Sequence, residues 1–352
     1  MSLLPVDHRV CLISMGTILG LAGLGCGQES TGPSDPMDLW FEQPSDVIVF
    51  MSRADSPEGE LYVLDKSGEI TRLTYNSLHE NNPAISSDGS KVAYQAGQED
   101  NMLTWELYVA DIAGGGEQRL TNNWVIDAHP DWGPGDSVLV FGSFRDGSGA
   151  PSGTADIYTI HIDGSDLTRL TTSEWEDNDP EWSPDGTMIA FKSNRNTQQA
   201  AREEIFVMNA DGSGQRRLTS TLGWESDHDP SWSPDSKRLV FSHYQGSRAW
   251  TDMTDPNVFI SSWGDFVPWN IHRVDLDGNV EELTDVQYTA GLPVYSEDGA
   301  SILFLRMDFI ISGSGELVGA DHRLILIDAS GGSGQQLIPD DGHTSTLEYF
   351  DW

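Results

Sequence analysis

The chain has 352 residues, 38% of them hydrophobic, and its 12 tryptophans fit a folded core rather than a disordered acidic polymer. Asp and Glu number 56 against 19 Lys and Arg, giving a formal net charge of −37 spread along the whole sequence. Such a surface repels phosphate backbones and attracts cations and basic partners, which argues against any nucleic-acid partner. The scarcity of lysine would also follow from a saline setting, where screening weakens self-repulsion.

In chain order, the first element is an apolar run from Val10 to Gly25, preceded by Arg9 and followed by Gln28-Glu29-Ser30-Thr31-Gly32-Pro33. Its length suits the core of a secretory signal better than a membrane span. The stretch Leu21-Ala22-Gly23-Leu24-Gly25-Cys26 resembles the lipobox of bacterial lipoproteins, with Gly23 where a leucine is usual. That resemblance implies lipidation of Cys26; an ordinary cleaved signal or an uncleaved anchor is the alternative. The expected organisation is therefore a signal over residues 1–26, a linker over 27–41 and one domain over 42–352. The expected product is exported, periplasmic or lipid-anchored, reaching the membrane only through its N-terminus, and monomeric. Cys11 and Cys26 are the only cysteines, so the body is expected to fold without a disulfide.

From residue 42 onward the sequence repeats. The pattern Pro-x-Trp recurs as Pro83-Ala84-Ile85, Pro130-Asp131-Trp132, Pro180-Glu181-Trp182, Pro230-Ser231-Trp232 and Pro293-Val294-Tyr295. The copies lie roughly 50 residues apart, a propeller-blade period. Each precedes a turn such as Ser86-Ser87-Asp88-Gly89 or Ser183-Pro184-Asp185-Gly186, where Pro presets φ and Gly takes the positive-φ position. Each turn leads into an alternating run: Lys91 to Ala96, Ser137 to Phe144, Met188 to Ser193, Arg238 to His243 and Ser301 to Arg306, with an early copy at Asp46 to Ser52. Third strands are predicted from Leu61, Glu106, Asp156, Glu204, Asn270 and Arg323. Fourth strands end in Arg72-Leu73-Thr74 and its counterparts, and period-two alternation between turn signals marks all of these as strands.

Second, third and fourth strands thus occur six times, but the turn-linked first strand only five. The missing copy is Leu347-Glu348-Tyr349-Phe350-Asp351-Trp352, which repeats the Asp-Trp of Asp131-Trp132 at the other end of the chain. Pairing the two ends would remove both exposed sheet edges. The predicted fold is all-β, a six-bladed β-propeller of four-stranded antiparallel blades closed by its C-terminal strand. Asp179-Pro180-Glu181-Trp182-Ser183-Pro184-Asp185-Gly186 with Arg216-Arg217-Leu218-Thr219, and their counterparts, resemble the TolB-type (WD40-like, PD40) propeller repeats over nearly all of residues 42–352. That family includes periplasmic interaction proteins and propellers attached to serine peptidases, so the resemblance implies a fold and not one function.

Strands alternate direction within a blade, so the second-to-third and fourth-to-first connections share a face. That face is expected to carry irregular insertions at Gln98 to Thr104, Asp146 to Thr154, Asn196 to Arg202, Gln245 to Trp269 and Asp308 to Asp321, and hence any binding site. Three consecutive fourth-to-first connections repeat one constellation: Trp124, Asp127 and His129; Trp175, Asp177 and Asp179; Trp224, Asp227, His228 and Asp229. These form a candidate acidic arc at the channel mouth. Asp127, His129, Asp177 and Asp227 are chemically suited to a divalent cation, Ca²⁺ if oxygens dominate. The rings suit a sugar or a cationic peptide, and clustered carboxylates suit acid/base work. The opposing expectation is structural: an Asp before Pro caps its loop and the Trp wedges between blades. The fifth-blade insertion adds Trp250, Trp263 and Trp269 as a docking patch or a small satellite core.

Motifs for a nucleophile elbow, a zinc peptidase, a phosphate loop or a cysteine zinc site are absent from the sequence. The expected function is a non-enzymatic cell-envelope binding or scaffold protein that needs no cofactor and takes an envelope protein or a glycan or peptide ligand. The alternative is a carbohydrate-active or metal-assisted enzyme of the polysaccharide lyase type.

Overall fold

Six sheets of four antiparallel strands follow one another along the chain. The computed structural model describes residues 47–53, 55–56, 58–98, 101–146, 149, 151–195, 202–223, 225–245, 269–285, 289–311, 317–332, 334–336 and 347–351, all within the unit Asp35–Trp352. The signal, the linker, Cys26, Trp224, Trp250 and Trp263 lie outside the described residues.

The first blade contains β1 (Val47–Ser52), β2 (Glu60–Asp65) and β3 (Ile70–Arg72), and its innermost strand is β24 (Leu347–Asp351) from the far end of the chain. β24 pairs antiparallel with β1, with Val49 opposite Asp351 and Met51 opposite Tyr349. Ring closure by the C-terminus is therefore as the strand count predicts. Blade two is β4 (His79–Ile85), β5 (Lys91–Gln98), β6 (Asn101–Asp111) and β7 (Gln118–Arg119). Blade three is β8 (Asp127–Trp132), β9 (Val138–Arg145), β10 (Pro151–His161) and β11 (Thr168–Arg169). Blade four is β12 (Asp177–Trp182), β13 (Met188–Ser193), β14 (Glu204–Asn209) and β15 (Arg216–Arg217). Blade five is β16 (Ser226–Trp232), β17 (Arg238–Tyr244), β18 (Trp269–Asp275) and β19 (Val280–Glu282). Blade six is β20 (Thr289–Tyr295), β21 (Ser301–Ile311), β22 (Leu317–Asp328) and β23 (Gln335–Gln336).

Middle strands are buried on both faces because each blade is sandwiched between two others. In β1 every residue from Ile48 to Ser52 is buried, and Phe50 stacks on Tyr62 at 5.7 Å. The core accordingly lies in the joints: Ile48 and Phe50 of blade one pack with Leu303 and Leu326 of blade six across the closing seam.

Three expected irregular loops prove to be strand in whole or part, Asp146 to Thr154 among them, since β10 begins at Pro151 opposite Arg145. Gln98 to Thr104 is mostly the start of β6, with Gln98 opposite Asn101, and Asp308 to Asp321 largely extends a hairpin in which Asp308 faces Asp321. The β-branched and aromatic residues on both sides of the latter, among them Phe309, Ile310, Ile311 and Val318, favour continued pairing. Insertion length alone does not reveal this.

The repeated motifs hold each blade together and clasp it to the next. The Thr just past each of the first five fourth strands accepts through its hydroxyl the backbone N–H of a third-strand residue of its own blade, Leu61, Leu107, Ile157, Ile205 or Ile271, at 2.9 to 3.0 Å. The Arg of Arg-Leu-Thr meets a buried carboxylate on that third strand: Arg72 with Glu60, Arg119 with Glu106, Arg169 with Asp156, Arg217 with Glu204. Blade five reads Glu282-Leu283-Thr284 instead, and there the carboxylate is replaced by Asn270, whose amide oxygen accepts from Thr284. The middle residue of Pro-x-Trp clasps the next blade: Asp131 accepts the N–H of Trp182 at 2.7 Å, and Glu181 that of Trp232 at 3.0 Å.

Candidate functional site

The arc aspartates begin the inner strands, and the structure turns them into the blades. Asp127 is fully buried and accepts from Ser143 Oγ at 2.6 Å, from Asn123 Nδ2 at 2.8 Å and from the Arg145 guanidinium. Asp177 repeats this with Ser193 Oγ at 2.6 Å and Arg195. Asp227 differs: His243 Nδ1 donates to it at 2.7 Å and the Thr219 hydroxyl donates as well, while burial raises its pKa against both. Their register explains the recurrence, since Asp127 pairs with Ser143 and Asp177 with Ser193, and each Arg stands two residues further along the chain, Arg145 at the end of β9 and Arg195 just past β13. Arg145, Arg195 and His243 are not among the candidates read from the sequence; the repeated Ser-x-Arg points to the two arginines, whereas His243 stands at the register position that Ser143 and Ser193 hold in the other blades.

A second ring lies two residues further on. Asn82, His129, Asp179, Asp229 and Leu292 each precede the repeat proline and share φ between 48° and 57°. Each sits in a β-bulge where the ladder to the second strand shifts register. Pro removes a ladder donor and the left-handed residue before it swings the strand inward, so this ring lines the central channel. Together with their prolines they surround a cavity of about 140 Å³.

The neck of the channel is an ionic network running between blades. His129 Nδ1 lies 2.9 Å from Asp179 Oδ1 and 3.2 Å from the Asn82 amide. Asp179 also accepts the Asp229 N–H at 3.1 Å and stands 3.9 Å from Lys192 Nζ. Burial would raise the Asp179 pKa, but the charges of His129 and Lys192 outweigh it and hold the carboxyl well below its usual range. Lys192 reaches Glu203 at 3.6 Å, and burial pushes Glu203 up to about 7 against that attraction. His228 Nδ1 lies 3.1 Å from Glu203, and burial beside Lys192 keeps its ring neutral, with a pKa well below the usual value. Asp229 is pushed up by burial and by Asp179, and accepts from Ser242 Oγ at 2.8 Å. Of these, His129, Asp179, His228 and Asp229 are visible as candidates in the sequence. Asn82, Leu292, Lys192 and Glu203 are not, although the residue before each proline is a recurring position.

The structure thus splits the proposed arc. Asp127 and Asp177 bind the second-strand side of their own blades and Asp227 both His243 of its blade and Thr219 of the preceding one, while His129, Asp179 and Asp229 face the channel. Trp124 is 72% exposed and Trp175 half-buried, with its N–H bonded to Ser173 Oγ at 3.0 Å. Trp269 packs inward, 4.9 Å from His228 and 5.3 Å from Tyr244. Four exposed large apolar side chains, Tyr75, Leu103, Trp124 and Leu222, lie on the face carrying the second-to-third and fourth-to-first connections.

Residues 148–257 match the family model described as the TolB beta propeller domain. The fold is TolB-like. TolB from Acinetobacter baumannii superposes with a TM-score of 0.60 at 17% identity, over 87% of this chain and 66% of that one. A putative TolB from Agrobacterium tumefaciens gives 0.56 at 18% identity, over 86% of this chain and 96% of that one. An oligogalacturonate lyase in complex with manganese gives 0.55 at 15% identity, over 86% and 77%. No curated protein matches the sequence. The same propeller fold thus occurs in TolB and in a lyase, and a choice of function has to come from the site.

Proposed function

We propose that the chain is a non-catalytic binding propeller of the bacterial cell envelope, exported by its N-terminal signal and docking a basic protein partner on its loop face. The observation that carries this reading is the placement of Tyr75, Trp124 and Leu222, each at least 72% exposed, in three of the fourth-to-first connections. An aromatic and aliphatic set on one rim, against a net charge of −37, suits a partner with apolar anchors inside a cationic border. The lipobox-like Cys26 and the TolB-like fold support the envelope setting.

The lyase reading fits less well. It requires Asp177 and Asp227 to take a metal ion or a proton, and both are engaged by Arg195, His243 and hydroxyl donors within their blades. The channel cavity, at about 140 Å³, is small beside the 300 Å³ or more usual for a small-molecule site.

Capture experiments from envelope extract with Trp124→Ala/Leu222→Ser protein test the proposal. Loss of the captured partner with an unchanged melting curve is expected. Retained capture, or glycan cleavage by the unaltered protein, would contradict it.

A further inference from the structure

The joint between blades one and two holds two buried carboxylates, of which one is paired with an arginine, while the other arginine there, Arg53, lies 3.2 Å from the His79 ring. Glu60 and Glu80 are both fully buried, and Arg72 reaches Glu60 alone. Glu80 receives only neutral donors: the Thr74 hydroxyl, the Leu61 N–H at 3.1 Å and Asn76 Nδ2 at 2.6 Å. At the next two joints the corresponding carboxylate has an arginine of its own, two residues past its register partner. Glu80 pairs with Ala96 as Asp127 pairs with Ser143, so the vacant arginine position is Gln98.

We propose that Glu80 carries a proton in place of the missing arginine, making the first joint a proton-operated clasp on the blade that closes the ring. Burial, reinforced by the Glu60 charge and opposed by Thr74 and Asn76, pushes the Glu80 carboxyl up to about 7. The other titratable groups at this joint are Arg72 behind Glu60, the Arg53–His79 pair at the residue before Glu80, and Tyr94, Tyr108 and Glu117 from blade two, with Tyr94 donating to Glu117 at 3.0 Å. Below the ordinary glutamate range the acid is neutral whether the joint is open or closed. Above it the open form ionises first, so each rise in pH toward 7 favours opening.

The Leu61 N–H reports this joint directly, because it donates to both Thr74 and Glu80. Hydrogen-exchange protection of Leu61 is compared at pH 5 and pH 8, with Leu107 and Ile157 as references at the next two joints. Leu61 protection is expected to fall at least about tenfold at pH 8, the factor for one unit of pKa shift, while the references change less. Glu80→Gln is expected to abolish the fall. Gln98→Arg, which supplies the missing cation, is expected to restore protection at pH 8. Equal Leu61 protection at both pH values in the unaltered protein, or a fall that persists in both variants, would overturn the proposal. Neither result depends on the loop-face partner.

Discussion

Trp132 donates its indole N–H to the carbonyl of Ala84 at 2.8 Å, across the joint between blades two and three. Trp232 repeats the bond to the Glu181 carbonyl at 3.2 Å two joints further round the ring, between blades four and five. In these two repeats the Trp of Pro-x-Trp acts between blades, whereas the buried indole nitrogen of Trp182 has no hydrogen-bond partner among the described residues. Trp132→Phe keeps most of the buried ring but leaves the Ala84 carbonyl without its donor, which costs about 1–3 kcal/mol. Denaturant unfolding measures it, and an unchanged midpoint would show that the bond contributes nothing.

Asp127→Asn and Asp227→Asn separate two kinds of joint. The first strands the Arg145 guanidinium in the interior, a loss of about 3–5 kcal/mol for breaking a buried pair. The second leaves the His243 ring and the Thr219 hydroxyl an amide oxygen to donate to, so the loss is nearer about 1–2 kcal/mol, as for one hydrogen bond. Chemical denaturation of both variants checks the order, and equal losses would contradict it.

Gly142 faces Asn178 of the next blade so closely that an added Cβ would collide with Asn178 Oδ1. Gly142→Ala is expected to destabilise by about 1–3 kcal/mol through overpacking of that joint, again read by denaturation. Asn178→Ala in the same chain should recover part of the loss.

Stability should peak in mildly acidic solution. Turn aspartates such as Asp88, Asp163, Asp211 and Asp328 are held below the usual carboxylate range, first by the hydroxyl and then by the amide of a serine two residues on. What they contribute is present above the unfolded value of about 3.9 and lost as the pH falls below it. Glu80 and Glu203 act oppositely, both pushed up to about 7 by burial. Their contribution is complete below about 4.3, the unfolded value, and drains away as the pH rises to 7. Thermal melts from pH 3 to 8 should therefore be highest near pH 4–5, and a maximum at or above pH 7 would contradict this assignment.

The propeller was legible because its punctuation repeats: Pro before each inner-strand aromatic, Asp-Gly or its equivalent in each turn, and a terminal Asp351-Trp352 with no other blade to join. The site was half legible. Asp127 and His129 are two residues apart and read as one arc, yet Asp127 points into its blade and His129 into the channel. The cause is the bulge at His129, whose φ of 53° interrupts the simple alternation of a strand. Glu203 was hidden because its partner His228 comes from the next blade, and Lys192 because the bulge at Asp179, on the neighbouring strand of the same blade, is what brings the two together.

All of these joints presuppose a closed ring, and removing residues 347–352 tests it most directly. The deletion leaves β1 as an open edge in blade one and takes away the strand that pairs with Phe50 and Met51. The melting temperature is expected to fall by at least about 10 °C, with Leu61 amide protection lost before that of Ile157. A truncated chain that melts with the full-length protein, and protects Leu61 as well, would show that the ends do not hold the ring.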